Sequence, residues 1–204
     1  MDLSEPTRPY HHGDLKAALV AEAEIILERD GIQALTLRAA ARAAGVSHAA
    51  PANHFGDLTG LLSELAAVGF RRFSAMLEAA RTSGEARPAG AKGMGHAYVR
   101  FARTYPNLFA LMFRGERLDF GRPALREALD EAAAMLRSGT AAPEGRPVPP
   151  LQAAAQAAAR WSLVHGFAML LLDGRLAGML ASLPAGEGVD DLLDAVLAVT
   201  RIGD

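Results

Sequence analysis

The sequence predicts an all-α fold, and three observations carry that prediction. Apolar residues recur at three- and four-residue spacing through most of the chain, no segment alternates strictly as a strand would, and Gly/Pro-rich breaks separate the periodic stretches. Half of the 204 residues are hydrophobic, enough to bury a real core in one or two domains. No internal repeat is visible.

Met1 to Gly13 is polar and contains proline, so it reads as a flexible arm ending at Asp14, a suitable N-cap. Arg8, His11 and His12 are of the kind that follow a nucleic-acid backbone or minor groove, and equally of the kind found in a solvated tail. With no third ligand at helical spacing, they do not make a metal site. Leu15, Leu19, Ala23 and Ile26 then define a first helix that ends near Asp30-Gly31. Residues 35–55 form the stretch around which the chain is organised. Thr36 caps an Ala-rich second helix over Leu37–Ala44, Gly45 stops it, and Ser47 is placed to cap a third across the turn Gly45-Val46-Ser47. Two short helices across a tight turn are the layout of a helix-turn-helix, although an ordinary Ala-rich hairpin in a bundle has the same pattern.

Beyond it, Asp57 caps a long fourth helix with Leu58, Leu61, Leu62, Leu65, Gly69, Phe73, Met76 and Ala80 on one face, running to about Thr82. Residues 83–93 read as a Gly/Pro-rich loop, and Met94, Tyr98, Phe101 and Tyr105 give a fifth helix that Pro106 ends. Leu108, Phe109, Met112 and Phe113 make a short sixth helix, Arg122–Arg137 a seventh, and Ser138–Pro150 a loop. The eighth, Leu151–Asp173, is apolar nearly all round beyond Trp161 and must be covered on more than one side. A ninth spans Asp190–Thr200. The expected organisation is an N-terminal arm and head over residues 1–57 and a helical body over 58–204. Helices eight and nine carry more apolar surface than one body needs, so they are expected to pair with a second copy as a four-helix interface.

Composition narrows the class. Cysteine is absent, which removes thiolate nucleophiles, Cys-ligated zinc and disulfides. No signal-peptide run opens the chain, and the longest apolar stretch, Trp161–Leu172, falls short of the roughly 20 residues that cross a bilayer. No membrane association and a cytoplasmic location are therefore expected. The net charge is −2, and the first 60 residues hold five bases against eight acids, a local net of −3. Long-range attraction to a polyanion is then weak, so nucleic-acid binding must rest on a local patch doubled by a dimer. Such a patch exists: between Gly31 and Gly56 there is no acid, while Arg38, Arg42, His48 and His54 lie inside. A second helix in the major groove would reach base edges with His48, Ala49, Ala52 and Asn53, and Asn53 is the best candidate for a direct base contact.

Together the motif, its N-terminal position and the all-helical body resemble the TetR family of bacterial transcription regulators over essentially the whole chain. Tyr10-His11-His12-Gly13-Asp14-Leu15, Ala44 to Pro51 and His54-Phe55 look like the subgroup whose C-terminal domain is named for a Trp, His and Gly, here Trp161, His165 and Gly166. Phe109 to Phe113 resembles an aromatic segment of that domain. The resemblance implies a homodimeric regulator, of the repressor type, that binds double-stranded palindromic operator DNA. A small-molecule effector would release it, through the fourth helix and the spacing of two heads. DNA contacts would fall on Thr36, Arg38, Arg42, Ser47, His48, Ala49, Ala52, Asn53 and His54. Two departures stand out: relatives usually carry Tyr at the position of Ala52 and Lys at that of Leu58, both phosphate contacts, so weaker or unusually specific binding is expected.

An effector pocket is expected from Met76, Tyr98, Phe101, Tyr105, Phe109, Met112, Phe113, Trp161, His165 and Met169, an apolar lining with a few polar handles suited to a flat or greasy molecule. Such stripes are more often plain core. No cofactor is expected. An enzyme is disfavoured, because the nucleophile elbow, the phosphate-binding Gly-rich loop with Lys and the Glu-x-x-His pair are all missing. The remaining rival is a protein of this fold that binds ligands or partners but has weakened or lost operator binding.

Overall fold

Burial in the first helix follows the predicted stripe. In α1 (His12–Asp30), Leu19, Ala23, Ile26 and Leu27 are sealed from solvent whereas Ile25 between them is exposed. The structure is a computed structural model that describes residues 12–82, 90–113, 115–138 and 148–199. The arm with Arg8 and His11 lies outside the described residues. Because α1 begins at His12, Asp14 falls inside its first turn and is not its cap.

Capping explains the next boundaries. α2 (Leu37–Ala43) opens where the Ala39 N–H donates to Thr36 Oγ1 at 3.0 Å, satisfying one of the amides that a helix start leaves unpaired. Leu35 and Ala40, the residues that flank such a cap on its apolar side, are both buried. Gly45 at φ 67° takes the left-handed conformation that ends the helix without a side-chain clash. The link beyond is longer than three residues. α3 (Ala50–Phe55) starts with Ala49 in the N-cap position and no side-chain cap, so the expected Ser47 cap is not made. Instead the Ser47 carbonyl accepts from the Ala50 N–H at 3.1 Å, closing a turn ahead of the helix. Pro51 lies in the first turn, where its missing N–H has no helical partner to lose.

α4 (Leu58–Thr82) is the central rod. Asp57 caps it, accepting from the Gly60 N–H at 2.8 Å. α1 and α3 pack on it from the head, and α5 (Gly90–Thr104), α6 (Pro106–Met112) and α7 (Pro123–Ser138) from the body. α5 starts at Gly90, inside the stretch read as a loop; residues 83–89 are outside the described residues. Pro106 ends α5 and begins α6, and a 3-10 turn, Gly115–Arg117, leads towards α7.

α8 (Pro150–Leu172) leans on α5 and α7, and only Val164, Phe167 and Ala168 of it are buried. Leu151, Trp161 and Leu170 remain exposed, so within one chain the helix is covered on one side only and its other apolar flank is left uncovered among the described residues. α9 (Ala177–Ala181) was not predicted; five residues including Gly178 carry too little periodicity. α10 (Val189–Val199) packs on α5, with its Leu193 buried and His96 Nε2 of α5 lying 3.1 Å from Asp194 Oδ1. That hydrogen bond, helped by Lys92, holds the Asp194 carboxyl below its ordinary range. Among the described residues there is no strand.

Candidate nucleic-acid interface and effector site

The head presents one polar face. Pro51 and Phe55 of α3 are buried, one turn apart, and fix which side points inward. The opposite side shows Ala52 and Asn53 to solvent, continued by exposed Ser47, His48 and Ala49; His54 is half-buried with its ring 6.1 Å from Phe55. On α2 and its cap, Thr36, Arg38 and Arg42 are exposed. Neither arginine has an ion-pair partner among the described residues. Leu58, by contrast, is half-buried and packed against the core, so this chain uses that position for packing.

Of the five head acids whose side chains are described, four are committed elsewhere. Glu24 of α1 pairs with Arg72 of α4, whose guanidinium also lies 4.7 Å over the Tyr105 ring. Glu28 accepts from the Leu108 N–H at 2.7 Å and the Asn107 N–H at 3.3 Å, placing a carboxylate on the N-terminus of α6, and the Asn107 side chain returns a bond to the Glu28 carbonyl. Asp30 pairs with Arg29 and Asp57 caps α4. Asp30 and Asp57 therefore spend their hydrogen bonds on neighbouring backbone or side chains, and Glu24 and Glu28 on the body.

Those contacts also tie head to body, and a third tie joins them; none of the three is predicted by the sequence. Arg122, just before α7, donates from its guanidinium to the carbonyl of Phe55, the last residue of α3. Gly60 makes room for it: a Cβ there would collide with the Phe55 carbonyl and the guanidinium. Glu64 flanks the joint at 3.8 Å from Arg122 and 2.9 Å from Lys16, and the Asp119 N–H donates to buried Ser63 Oγ at 2.8 Å. A lone arginine before a proline carries no local signal for such a role.

In the body the predicted aromatic residues converge. Phe73 stacks edge-on against Tyr98 and Phe101, and the His165 ring has Phe113 at 4.6 Å, Phe109 at 5.6 Å, Trp161 at 6.1 Å and Tyr98 at 6.2 Å between centroids. Tyr98 is the polar centre of this group: Trp161 Nε1 donates to its hydroxyl at 3.2 Å, and that hydroxyl lies 2.8 Å from His165 Nδ1. Burial pushes the Tyr98 hydroxyl above its ordinary pKa, with the Trp161 bond opposing, and pushes His165 below its own. Phe101, Phe109 and Met112 are wholly buried, whereas Met76, Tyr105, Phe113 and Met169 are half-buried against the core and Trp161 is 42% exposed. The cluster therefore grades from packed core at Phe101 to an open edge at Trp161.

Residues 91–198 match the family described as tetracyclin repressor-like, C-terminal domain. The chain belongs to the TetR-like family. Among solved structures it is similar to a Rhodococcus sp. RHA1 protein of unknown function, at 34% identity and TM-score 0.71, with 95% of this chain and 96% of that one covered. It is also similar to the candidate regulatory protein SCO4313, at 26% identity and TM-score 0.72, over 95% and 98% of the two chains. A likeness of fold extends to the Streptomyces coelicolor TetR family protein ActR in complex with (S)-DNPA, at 19% identity and TM-score 0.56 over 95% and 98%. No curated protein matches the chain. As a TetR-like protein it has the all-α architecture of transcriptional regulators of this family.

Proposed function

We propose that this TetR-like protein is a ligand-responsive repressor that binds palindromic operator DNA as a homodimer and is released by a small apolar or aromatic effector. The observation that carries the reading is the acid-free outer face of α2 and α3, with Arg38, Arg42, Ser47, His48, Ala49, Ala52 and Asn53 exposed together. Residues 1–57 act as the reading head and residues 58–204 as the sensing and pairing body. Asn53 reads a base edge, while Thr36, Arg38, Arg42 and His54 anchor the backbone. The C-terminal domain is of the subgroup named for Trp, His and Gly, through Trp161, His165 and Gly166. Effector binding near His165 shifts α6 and α7, and the ties at Glu28 and Arg122 pass the shift to the head, changing the separation of two heads that must meet successive grooves about 34–36 Å apart.

Pairing uses α8 and α10. Leu151, Trp161 and Leu170 are exposed large apolar side chains on α8, and a Cβ added at Gly166 would meet nothing within 4 Å, leaving room for a close-approaching helix. A second reading, in which the fold keeps ligand binding but not operator binding, is favoured by Ala52 and by Leu58, whose side chain packs inward.

Retardation of the protein's own upstream promoter DNA tests both readings. Under the first, that DNA is retarded and scrambled DNA is not, with affinity falling steeply in salt. Asn53→Ala relaxes one base position, and Arg42→Ala weakens all sequences alike. Indifference to sequence at low salt selects the second reading, and identical uniform losses in the two variants overturn the roles assigned to them.

A further inference from the structure

The hydrogen-bond order around Tyr98 fixes which edge of His165 faces a ligand. Indole Nε1–H of Trp161 can only donate, so the Tyr98 oxygen receives that bond. The hydroxyl proton of Tyr98 then needs an acceptor, and its side chain is 1% exposed. Among the described residues its only other partner is His165 Nδ1, at 2.8 Å. Were Nδ1 also a donor, Tyr98 would hold a buried hydroxyl proton with nothing to receive it, the costly case for a polar group. Nδ1 is therefore bare and the proton of the neutral ring is on Nε2. Among the described residues Nε2–H has no partner and is not sealed from solvent, and its half-buried ring is bordered by Phe109, Phe113 and the 42% exposed Trp161. Among the described residues no charged side chain is hydrogen-bonded or ion-paired to the ring, and the rings around it, Tyr98, Phe109, Phe113 and Trp161, are uncharged.

We infer that the body's site takes a neutral aromatic or apolar molecule that carries a hydrogen-bond acceptor, such as a carbonyl, and holds that acceptor on His165 Nε2–H. The inference rests on the effector reading above and adds its chemistry. Tyr98 is a positioning residue that acts through the tautomer of His165.

Nitrogen-resolved NMR of histidine-labelled protein above pH 7 tests the tautomer without any ligand. His165, identified by loss of its signal in His165→Gln, is expected as the Nε2–H form, and Tyr98→Phe shifts it towards a mixture. An Nδ1–H form in the native protein overturns the inference. Acetophenone and ethylbenzene, similar in shape but differing in a carbonyl, are then titrated while the indole N–H of Trp161, the single tryptophan, is followed. Acetophenone is expected to bind about three- to tenfold tighter, the worth of one neutral hydrogen bond. The preference disappears in His165→Phe and returns in His165→Gln, which keeps a donor. Equal affinities in the native protein overturn the inference and leave the effector site standing; silence of Trp161 towards both probes overturns the site as well.

Discussion

Removing Arg122 isolates the joint between the N-terminal helices and the body. In Arg122→Ala the Phe55 carbonyl loses a charge-assisted hydrogen bond at the point where α3 ends and its last carbonyls lack helical partners. Such a bond contributes about 1.5–3 kcal/mol net. The neighbouring charges alter this little: Glu64 keeps Lys16 at 2.9 Å, and the Asp119 contact at 3.8 Å involves a half-exposed carboxylate worth well under about 1 kcal/mol. For a chain of this size each kcal/mol moves the melting temperature by about 2–4 °C, so a drop of about 3–12 °C is expected. Hydrogen exchange localises it. The amides of Asn53 and Gly56, which donate to Ala49 and Ala52, should exchange faster in the variant while amides at the far end of α4 do not change. Arg122→Lys, with one donor group on a flexible stem, should recover part of the loss. A variant that melts within about 1 °C of the native protein, with α3 protection intact, would refute the claim that this bond joins α3 to the body.

Other perturbations probe separate links. Leu170→Asp places a charge on a 43% exposed side chain of α8, so folding is expected to survive and the sedimenting mass to halve; an unchanged mass excludes that face from pairing. Leu171 is the wrong site for this experiment, because it packs on its own chain's core. Burial lowers the His165 pKa below 6.5, so under acid the unfolded chain takes up a proton that the folded chain resists. Stability should therefore fall as pH drops below about 6.5, with no contribution from this group above it, and His165→Gln should flatten that slope in denaturant titrations; an unaltered slope denies it. Thr36→Ala removes the α2 cap and should cost about 0.5–2 kcal/mol in chemical denaturation, a loss that a Ser replacement avoids.

What was legible in the sequence was local. Thr36 and Asp57 bond to amides three residues away, and the α1 stripe needs only the helical period, so spacing alone specified them. Ser47 failed for a reason of the same kind: the chain takes an extra turn through His48 and Ala49 before α3 begins, which carries the hydroxyl out of reach of the helix amides. The boundary of α5 was missed because Gly90 to Gly95 looks like loop composition, whereas α5 packs along α4 and tertiary burial overrides weak propensity there. Tyr98, Phe109, Phe113, Trp161 and His165 were grouped from helical stripes on three helices, and the rings do meet. The order of hydrogen bonds among them could not be read, since it depends on partners 63 and 67 residues apart. The Arg122 joint spans a similar separation and depends on a glycine at position 60 that spacing rules treat as neutral.

Trp161 has its indole nitrogen on Tyr98 and a large part of its ring open on the flank of α8. One residue thus borders both the ring cluster and the surface on which a second copy would rest. If a second copy does rest on this indole, then by thermodynamic reciprocity an occupant of the cluster that moves it would change the monomer–dimer equilibrium by the same factor that dimerisation changes the occupant's affinity. Protein concentration then becomes an input: a dilute regulator and an abundant one would answer the same dose of effector differently.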